Sequence, residues 1–206
     1  MKKLYLLRHG QTEFNVKKLV QGRCDSPLTD LGRQQAGMAA AWLKAHNVVP
    51  DKVVSSPLGR AMATASLVAT ELLGADADVE PCEGIIERCY GTFEEGPHDA
   101  LPTDVWDPGE DLILFGGEGS QALQERMVDA LTNIMGSEGI ETLLAVSHGS
   151  ASRQFIKAAA PEGFELPTKL PNCAIMIFDF DEAREEDDTP QCKFTLQQIV
   201  DPQQSH

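Results

Sequence analysis

The sequence has few cysteines, no long apolar run and a shortage of cations, and each of these excludes a class of protein. The five cysteines are scattered and form no C-x-x-C pair, so neither a disulfide framework nor a cysteine-bound zinc site is expected. The histidines show no H-x-x-x-H spacing, and we predict no bound metal. No apolar run approaches the roughly 20 residues of a membrane span, and residues 4–7 are too short for a signal-peptide core. We therefore expect a cytoplasmic protein without a membrane partner.

Positive charge is scarce along the whole chain. Lys and Arg number 17 against 32 Asp and Glu, which gives a formal net charge of -15. Nucleic acids bind to positively charged surfaces, so a nucleic-acid partner is not expected. An anionic ligand would need a local cluster of cations, and the position of each arginine is therefore informative.

The apolar residues alternate between the spacing of strands and that of helices. Short apolar runs predict buried strands at residues 4–7, 51–57, 79–82, 142–149, 173–180 and 193–200. Longer amphipathic stretches predict helices at residues 28–46, 56–73, 120–135 and 151–160. The first helix would be capped by Thr29 or Asp30, and the second by Ser56 with Pro57 in its first turn. This alternation predicts an α/β fold, with a mainly parallel central sheet between two layers of helices.

Two segments do not follow this alternation. Residues 89–119 are rich in Gly, Pro and Asp and show no period, which predicts a small irregular cap insertion at a sheet edge. Residues 181–188 are strongly acidic and are predicted to form a solvated loop between the last two strands. We expect residues 1–206 to form a single domain that includes both segments.

Cationic or imidazole side chains follow three of the predicted strands. Residues 4–7 run into Arg8 and His9, the strand before Pro57 leads to Arg60, and the strand at residues 142–147 runs into His148. Taken singly, each such residue is usually structural. Ligands of open α/β sheets, however, bind beyond the carboxyl ends of the strands, where these side chains could meet. Arginine forks and helix N-termini bind phosphate oxygens, so the pattern predicts a phosphoryl site.

Four motifs occur in a fixed order along the chain: "LLRHGQTEFN", "SSPLGRAMATA", "ERCYG" and "VSHG". In this order they resemble the histidine phosphatase superfamily, in its phosphoglycerate-mutase-like branch. The resemblance extends from residue 4 to about residue 180. It implies a phosphoglycerate-mutase-like fold and an enzyme that transfers a phosphoryl group without a metal or another cofactor.

The resemblance also implies a role for each matching residue. His9 would be the nucleophile that receives the phosphoryl group, and Glu87 would donate and accept protons. Arg8 and Arg60, together with a cationic His148, would neutralise charge on the phosphoryl oxygens. The remaining matching positions would contact the substrate: Asn15, Gln21, Gly22, Arg88, Tyr90 and Gly149.

The resemblance leaves the phosphoryl acceptor open. Water as acceptor gives a phosphatase, whereas a bound phosphoglycerate gives a cofactor-dependent mutase. Arg88 and Tyr90 resemble the mutase form of the motif, in which both contact the substrate. Residues 89–119, however, contain no Lys or Arg and include eight acidic residues, and such a cap would repel a highly charged acid.

We therefore predict a phosphatase acting on a small-molecule phosphate ester, with the mutase as the alternative. A third possibility is a phospho-ligand-binding protein without turnover, which the presence of both His9 and Glu87 disfavours. Trp106, Phe93 and Phe115 are predicted either to pack within the cap or to line an apolar part of the pocket. No oligomeric state is predicted.

Overall fold

The computed structural model describes residues 1–182 and 193–204 of the chain. Most of the predicted acidic loop, residues 183–188, lies outside the described residues, as does Cys192. The strands are β1 (Lys2–Arg8), β2 (Lys52–Ser55), β3 (Glu80–Pro81), β4 (Thr142–Ser147), β5 (Ile175–Phe180) and β6 (Phe194–Val200). The α-helices are α1 (Glu13–Lys17), α2 (Asp30–Ala45), α3 (Gly59–Leu73), α4 (Ser120–Met135) and α5 (Gly149–Ala159).

The strands form one six-stranded sheet in the order β3-β2-β4-β1-β5-β6. The first four strands in this order pair in parallel, whereas β5 is antiparallel to both β1 and β6. The predicted mainly parallel sheet is therefore confirmed, with an antiparallel pair at one edge. Within this sheet, Arg8 lies beside Ser147 in the β1–β4 register.

Helices cover both faces of the sheet, which confirms the predicted three-layer arrangement. Successive residues of β1 face opposite layers: Leu6 is buried among residues of α4 and α5, and Leu7 among residues of α2 and α3. This period of two is that of a strand buried on both faces. None of the described helices is long and apolar enough to cross a lipid bilayer.

The predicted cap of α2 is confirmed, but that of α3 is wrong. Thr29 accepts a hydrogen bond from the Gly32 backbone N–H, as an N-cap residue does. Helix α3 begins later than predicted, after Leu58, whose side chain cannot cap it. The Asp25 carboxylate caps it instead, accepting from the backbone N–H of Gly59 at 2.6 Å and of Arg60 at 3.3 Å. A cap supplied 34 residues away along the chain leaves no local signal in the sequence.

The segment that follows β1, which carries no predicted helix, contains the short helix α1. Thr12 and Asn15 form a capping box at its start, in which each side chain accepts from the backbone N–H of the other. Sequence analysis overlooked this signal because the helix has only five residues and buries none of them.

Residues 89–119 contain three short 3-10 helices, at Gly91–Phe93, His98–Ala100 and Asp111–Phe115. They enclose a small cluster of buried apolar side chains, formed by Val20, Tyr90, Leu101 and Leu112. The segment is hydrogen-bonded to the loop after α1, where Leu19 and Pro97 form an isolated β-bridge. Trp106 of this segment lies against Arg8, the last residue of β1, and against Gly149, two residues after β4, so the segment covers the carboxyl ends of both strands.

Candidate active site

His9 and His148 lie side by side beyond the ends of two neighbouring parallel strands. Each follows a strand directly, and the β1–β4 register places the last residues of those strands opposite each other. The two ring centroids are 5.2 Å apart. Sequence-distant imidazoles thus meet at the carboxyl edge of the sheet, where ligands of α/β folds bind.

The imidazole of His9 has one nitrogen engaged and one free. Its Nδ1 is 2.7 Å from the carbonyl oxygen of Gly10, so this nitrogen carries the hydrogen and Nε2 keeps its lone pair. Burial, followed by the charges of Arg60 and Arg8, holds the pKa of His9 well below 6.5. His9 is therefore neutral at pH 7, the state in which imidazole is a nucleophile.

Arg8 and Arg60 are both buried, and backbone carbonyls hold their guanidinium groups. Arg8 donates from Nη1 to Leu170, while Arg60 donates to the carbonyl oxygens of Cys24 at 2.8 Å and Gly22 at 2.7 Å. Burial lowers the pKa of Arg8 to about 10. Both side chains remain cationic at neutral pH and are fixed in place without a substrate.

Three buried nitrogens of this cluster lack a hydrogen-bond partner among the described residues. They are Nε of Arg8, Nε of Arg60 and Nδ1 of His148. A buried polar group without a partner costs about 1–3 kcal/mol. Three such nitrogens beside a neutral His9 fit an anion that accepts hydrogen bonds from them.

The surroundings of His148 disfavour the cationic state that sequence analysis predicts for it. Burial is the largest cause that lowers its pKa well below 6.5, followed by the charges of Arg60, His9 and Arg8. Its Nε2 lies 2.7 Å from the hydroxyl oxygen of Ser56. His148 is therefore a neutral imidazole held at one nitrogen by a serine.

The side chain of Glu87 lies at the N-terminus of α5 and accepts hydrogen bonds from backbone N–H groups. Its carboxylate accepts from the N–H of Arg88 at 2.8 Å, of Ala151 at 2.9 Å and of Ser150 at 3.2 Å. The residue is 7% exposed and lines the cavity beside His9. A carboxyl group at this position can exchange a proton with a ligand bound to His9.

Most of the predicted contact residues lie on the wall of the same cavity. Asn15 accepts from the Thr12 backbone at its Oδ1, and its side-chain amide can donate to a ligand. Gln21 accepts the hydroxyl hydrogen of Thr12 in a similar way. The cavity is lined by Arg8, His9, Asn15, Leu19, Val20, Gln21, Gly22, Glu87, Tyr90, His98, Val105, Trp106, Gly149 and Ser150. Arg60 and His148 lie behind this wall, fully buried.

The family model of the histidine phosphatase superfamily, branch 1, matches residues 4–189. The chain belongs to the histidine phosphatase superfamily. A probable phosphoglycerate mutase GpmB from Salmonella paratyphi A is 31% identical over 193 residues, covering 89% of this chain and 87% of that protein. This membership accounts for the four ordered motifs of the sequence.

Two solved structures share the fold of this histidine phosphatase superfamily member. A phosphoserine phosphatase from Entamoeba histolytica, solved with 3-phosphoglyceric acid, is 28% identical with a TM-score of 0.71, covering 97% of this chain and 96% of that one. A phosphoglycerate mutase from Bacillus anthracis has a TM-score of 0.78 at 20% identity, covering 98% of this chain and 94% of that one. Phosphatases and mutases therefore share this architecture.

The structure does not bring Arg88 to the cavity of this superfamily member. The side chain is fully buried, and its guanidinium donates to protein atoms on two sides. It reaches the hydroxyl of Ser150 at 2.9 Å and that of Ser120 at 2.9 Å, and the carbonyls of Glu118 at 2.9 Å and Gly109 at 3.3 Å. In this position Arg88 joins the end of the cap to the start of α5.

Replacing Arg88 by methionine is expected to destabilise the protein more than it changes substrate binding. The buried acceptor of Ser150 and three part-buried acceptors would lose their donor, and the loss at a buried acceptor costs about 1–3 kcal/mol. We expect urea unfolding to show a decrease of at least about 2 kcal/mol in the free energy of unfolding. The exposed Arg33 provides the control, since Arg33→Met should have little effect. Unchanged stability with a raised KM would instead assign Arg88 to the substrate.

Four residues of the cap line the cavity, Tyr90, His98, Val105 and Trp106, and sequence analysis singled out Tyr90 and Trp106. His98 lines the cavity, with Nε2 placed 3.2 Å from the carbonyl oxygen of Leu19. Trp106 lies over the guanidinium of Arg8, with 5.0 Å between Cζ and the ring centroid, a cation–π geometry. Phe93 and Phe115 instead pack against each other within the cap, with their ring centroids 4.9 Å apart. Because His98 belongs to no recognised motif, the sequence carried no signal for it.

Among residues 1–182 and 193–204, no group of three or more His, Cys, Asp or Glu side chains could hold a metal ion. In this superfamily member, arginine side chains and helix N-termini are the positive groups nearest to His9. These groups can stabilise phosphoryl oxygens through hydrogen bonds.

Proposed function

We propose that this protein is a metal-independent phosphomonoester hydrolase that acts through a phosphohistidine on His9. The observation that carries the proposal is the free Nε2 of a neutral, buried His9, placed beside unpartnered nitrogens of Arg8, Arg60 and His148. A nucleophilic nitrogen thus lies next to a site suited to phosphoryl oxygens. In this proposal Glu87 is the general acid and base.

In the first step, the Nε2 lone pair attacks phosphorus and the bond from phosphorus to the ester oxygen breaks. The electron pair of that bond stays with the leaving oxygen, which takes a proton from the carboxyl group of Glu87. The hydrogen on Nδ1 of His9 remains in place, and its hydrogen bond to the carbonyl oxygen of Gly10 stabilises the phosphorylated ring as that ring becomes cationic. Arg8 and Arg60 balance the charge of the transferred group.

In the second step, Glu87 removes a proton from water and the oxygen of that water attacks phosphorus. The bond between nitrogen and phosphorus breaks, and its electron pair returns to Nε2 of His9. Inorganic phosphate leaves, and both His9 and the protonated Glu87 are restored. Dividing the reaction in this way replaces one difficult displacement by two easier ones.

We further propose that the leaving group is an uncharged alcohol. The part of the cavity wall beyond Arg8 and His9 carries apolar, aromatic and imidazole side chains, provided by Leu19, Val20, Tyr90, His98, Val105 and Trp106. Burial lowers the pKa of His98, which is neutral at pH 7. No lysine is among the lining residues, and Arg8 is held by Leu170 and Trp106. Arg8 is the arginine among the described lining residues, and the proposed mechanism assigns it to the phosphoryl group, so a carboxylate on the substrate would find no second cation there.

The acidic residues of the cap do not form the repulsive surface that the sequence suggested, because none of them lines the cavity. Glu94 accepts from the N–H of Arg23 and of Tyr90, and so fixes the loop that supports Arg60. Asp107 and Glu118 pair with cations outside the cap, Lys157 and Arg126. Discrimination against a charged acid would therefore come from the missing cation more than from a negative wall.

Phosphoglycerate mutase is the second candidate. It is favoured by the name of the 31% identical relative and by the position of Tyr90 on the cavity wall. The binding protein without turnover has no comparable support, since His9 and Glu87 are both present at the cavity.

The test is a phosphate-release assay over p-nitrophenyl phosphate, phosphate esters of uncharged alkyl alcohols, phosphoserine and 3-phosphoglycerate, with isomerisation of 3-phosphoglycerate measured in parallel. We expect phosphate release without isomerisation, and a kcat/KM at least about tenfold higher for the esters of uncharged alcohols, because a carboxylate left without a partner costs at least about 1 kcal/mol. Activity should survive EDTA. Isomerisation without phosphate release would establish the mutase, and inactivation by EDTA would refute the metal-free mechanism.

A further inference from the structure

Ser56 lies directly behind His148, although the two residues are 92 positions apart in the sequence. Ser56 is the first residue after β2 and is fully buried. The parallel pairing of β2 with β4 continues to this point, since the Ser56 backbone N–H donates to the carbonyl of Val146 at 2.9 Å. The sheet register therefore places the serine hydroxyl 2.7 Å from Nε2 of His148.

The other hydrogen bonds around Ser56 determine whether the serine or the imidazole is the donor in this contact. The Leu58 backbone N–H lies 3.4 Å from the Ser56 hydroxyl oxygen, which can accept from it. The hydroxyl hydrogen has one acceptor among the described residues, Nε2 of His148. If Nε2 carried a hydrogen instead, the buried serine hydroxyl would have no acceptor, at a cost of about 1–3 kcal/mol. The arrangement that satisfies the serine hydroxyl has Ser56 donating to Nε2.

We infer that Ser56 is a positioning residue that holds neutral His148 in the tautomer protonated on Nδ1. This nitrogen is buried and lacks a partner in the part of the protein that the structure describes, and its ring lies beside that of His9. In this tautomer Nδ1 donates to an oxygen of the phosphoryl group. In the other tautomer a lone pair would face that oxygen and repel it. The donation to phosphate rests on the proposed function, whereas the tautomer itself does not.

The tautomer can be measured without a substrate. Nitrogen-15 NMR of the imidazole rings, assigned with a His148→Gln variant, distinguishes protonated from unprotonated ring nitrogens. We expect hydrogen on Nδ1 of His148 in the wild type at neutral pH, and a shift of the hydrogen toward Nε2 in Ser56→Ala. Hydrogen on Nε2 in the wild type would overturn the inference, whatever reaction the protein catalyses.

A pair of neighbouring serines provides a matched kinetic test. Ser55 is also fully buried, but its hydroxyl donates to the carbonyl of Ser56 and is hydrogen-bonded to none of the described imidazoles. Ser56→Ala should lower kcat with p-nitrophenyl phosphate about 10–100-fold, the usual effect of removing a partner that fixes a histidine tautomer. Ser55→Ala should retain activity, and Ser56→Thr, which keeps the hydroxyl, should recover most of it. Equal activity in Ser56→Ala and Ser55→Ala would contradict the inference.

These outcomes separate the inference from the proposed function. A wild-type protein that hydrolyses none of the esters would refute the phosphatase, while the NMR result would still decide the tautomer. Vanadate affinity provides a second readout that needs no turnover, and it should fall in Ser56→Ala but not in Ser55→Ala. Thermal unfolding of both variants shows whether either fails to fold.

Discussion

Replacing His9 by alanine is expected to abolish phosphate release from every ester that the wild type hydrolyses. Without Nε2 no phosphoryl-enzyme forms, and loss of a nucleophile that acts with other catalytic groups costs about 10⁶-fold in kcat. The fold should tolerate the change, because the described hydrogen bond of this side chain is to the adjacent Gly10.

The phosphoenzyme provides the second measurement for this variant. Wild-type protein quenched in base during turnover should carry one phosphoryl group that is stable to alkali and labile to acid, and His9→Ala should carry none. His46→Ala is the matched control, since His46 is exposed and stacks on Trp42 away from the cavity. Full activity of His9→Ala, or a phosphoryl group on another residue, would contradict the assignment of the nucleophile.

The second large effect is expected from replacing Glu87 by glutamine, and it should depend on the leaving group. Alkyl oxygens need a proton to leave, so the loss with alkyl phosphates should be about 10²–10⁴-fold, the usual contribution of general acid catalysis. p-Nitrophenolate leaves with little protonation, so its release in the phosphorylation step should slow much less. The decisive quantity is the ratio of the rates with alkyl phosphates and with p-nitrophenyl phosphate, compared between Glu87→Gln and the wild type.

Glutamine is close in shape to glutamate but has one acceptor oxygen instead of two. The glutamine side chain can therefore accept fewer of the hydrogen bonds from the backbone N–H groups of Arg88, Ser150 and Ala151. We expect a small structural change at the start of α5. Thermal unfolding and vanadate affinity measure that disturbance separately from proton transfer. Glu83→Gln, four residues earlier and exposed, is the matched control. Equal losses with alkyl and aryl esters would argue against a general acid.

The sequence predicted the positions of the strands and helices with little error where periodicity was clear. The helix predicted at residues 120–135 is present with those bounds, and the runs beginning at residues 4 and 142 are strands β1 and β4. Apolar periodicity is a local property, since it follows from which faces of an element are buried. The expectation that His9 and His148 would meet followed from the ends of those strands.

Partners supplied from distant parts of the chain could not be predicted. Asp25 caps α3 through a loop after α1, and no local pattern at Leu58 indicates it. Arg88 matches a motif in which arginine contacts the substrate, yet here Ser120 and Ser150 receive its donors. Each of these outcomes depends on which side chain is nearest after folding.

The sequence by itself therefore determined the fold class, the family and the meeting of His9, Arg8 and His148 at one edge of the sheet. The tertiary structure alone decided that His148 is neutral, that His98 faces the cavity and that Ser56 lies behind His148. The physical reason is that the apolar periodicity of each element and the spacing within each motif are carried by neighbouring residues. Charge state and hydrogen-bond direction, by contrast, depend on burial and on groups that the fold brings together from far along the chain.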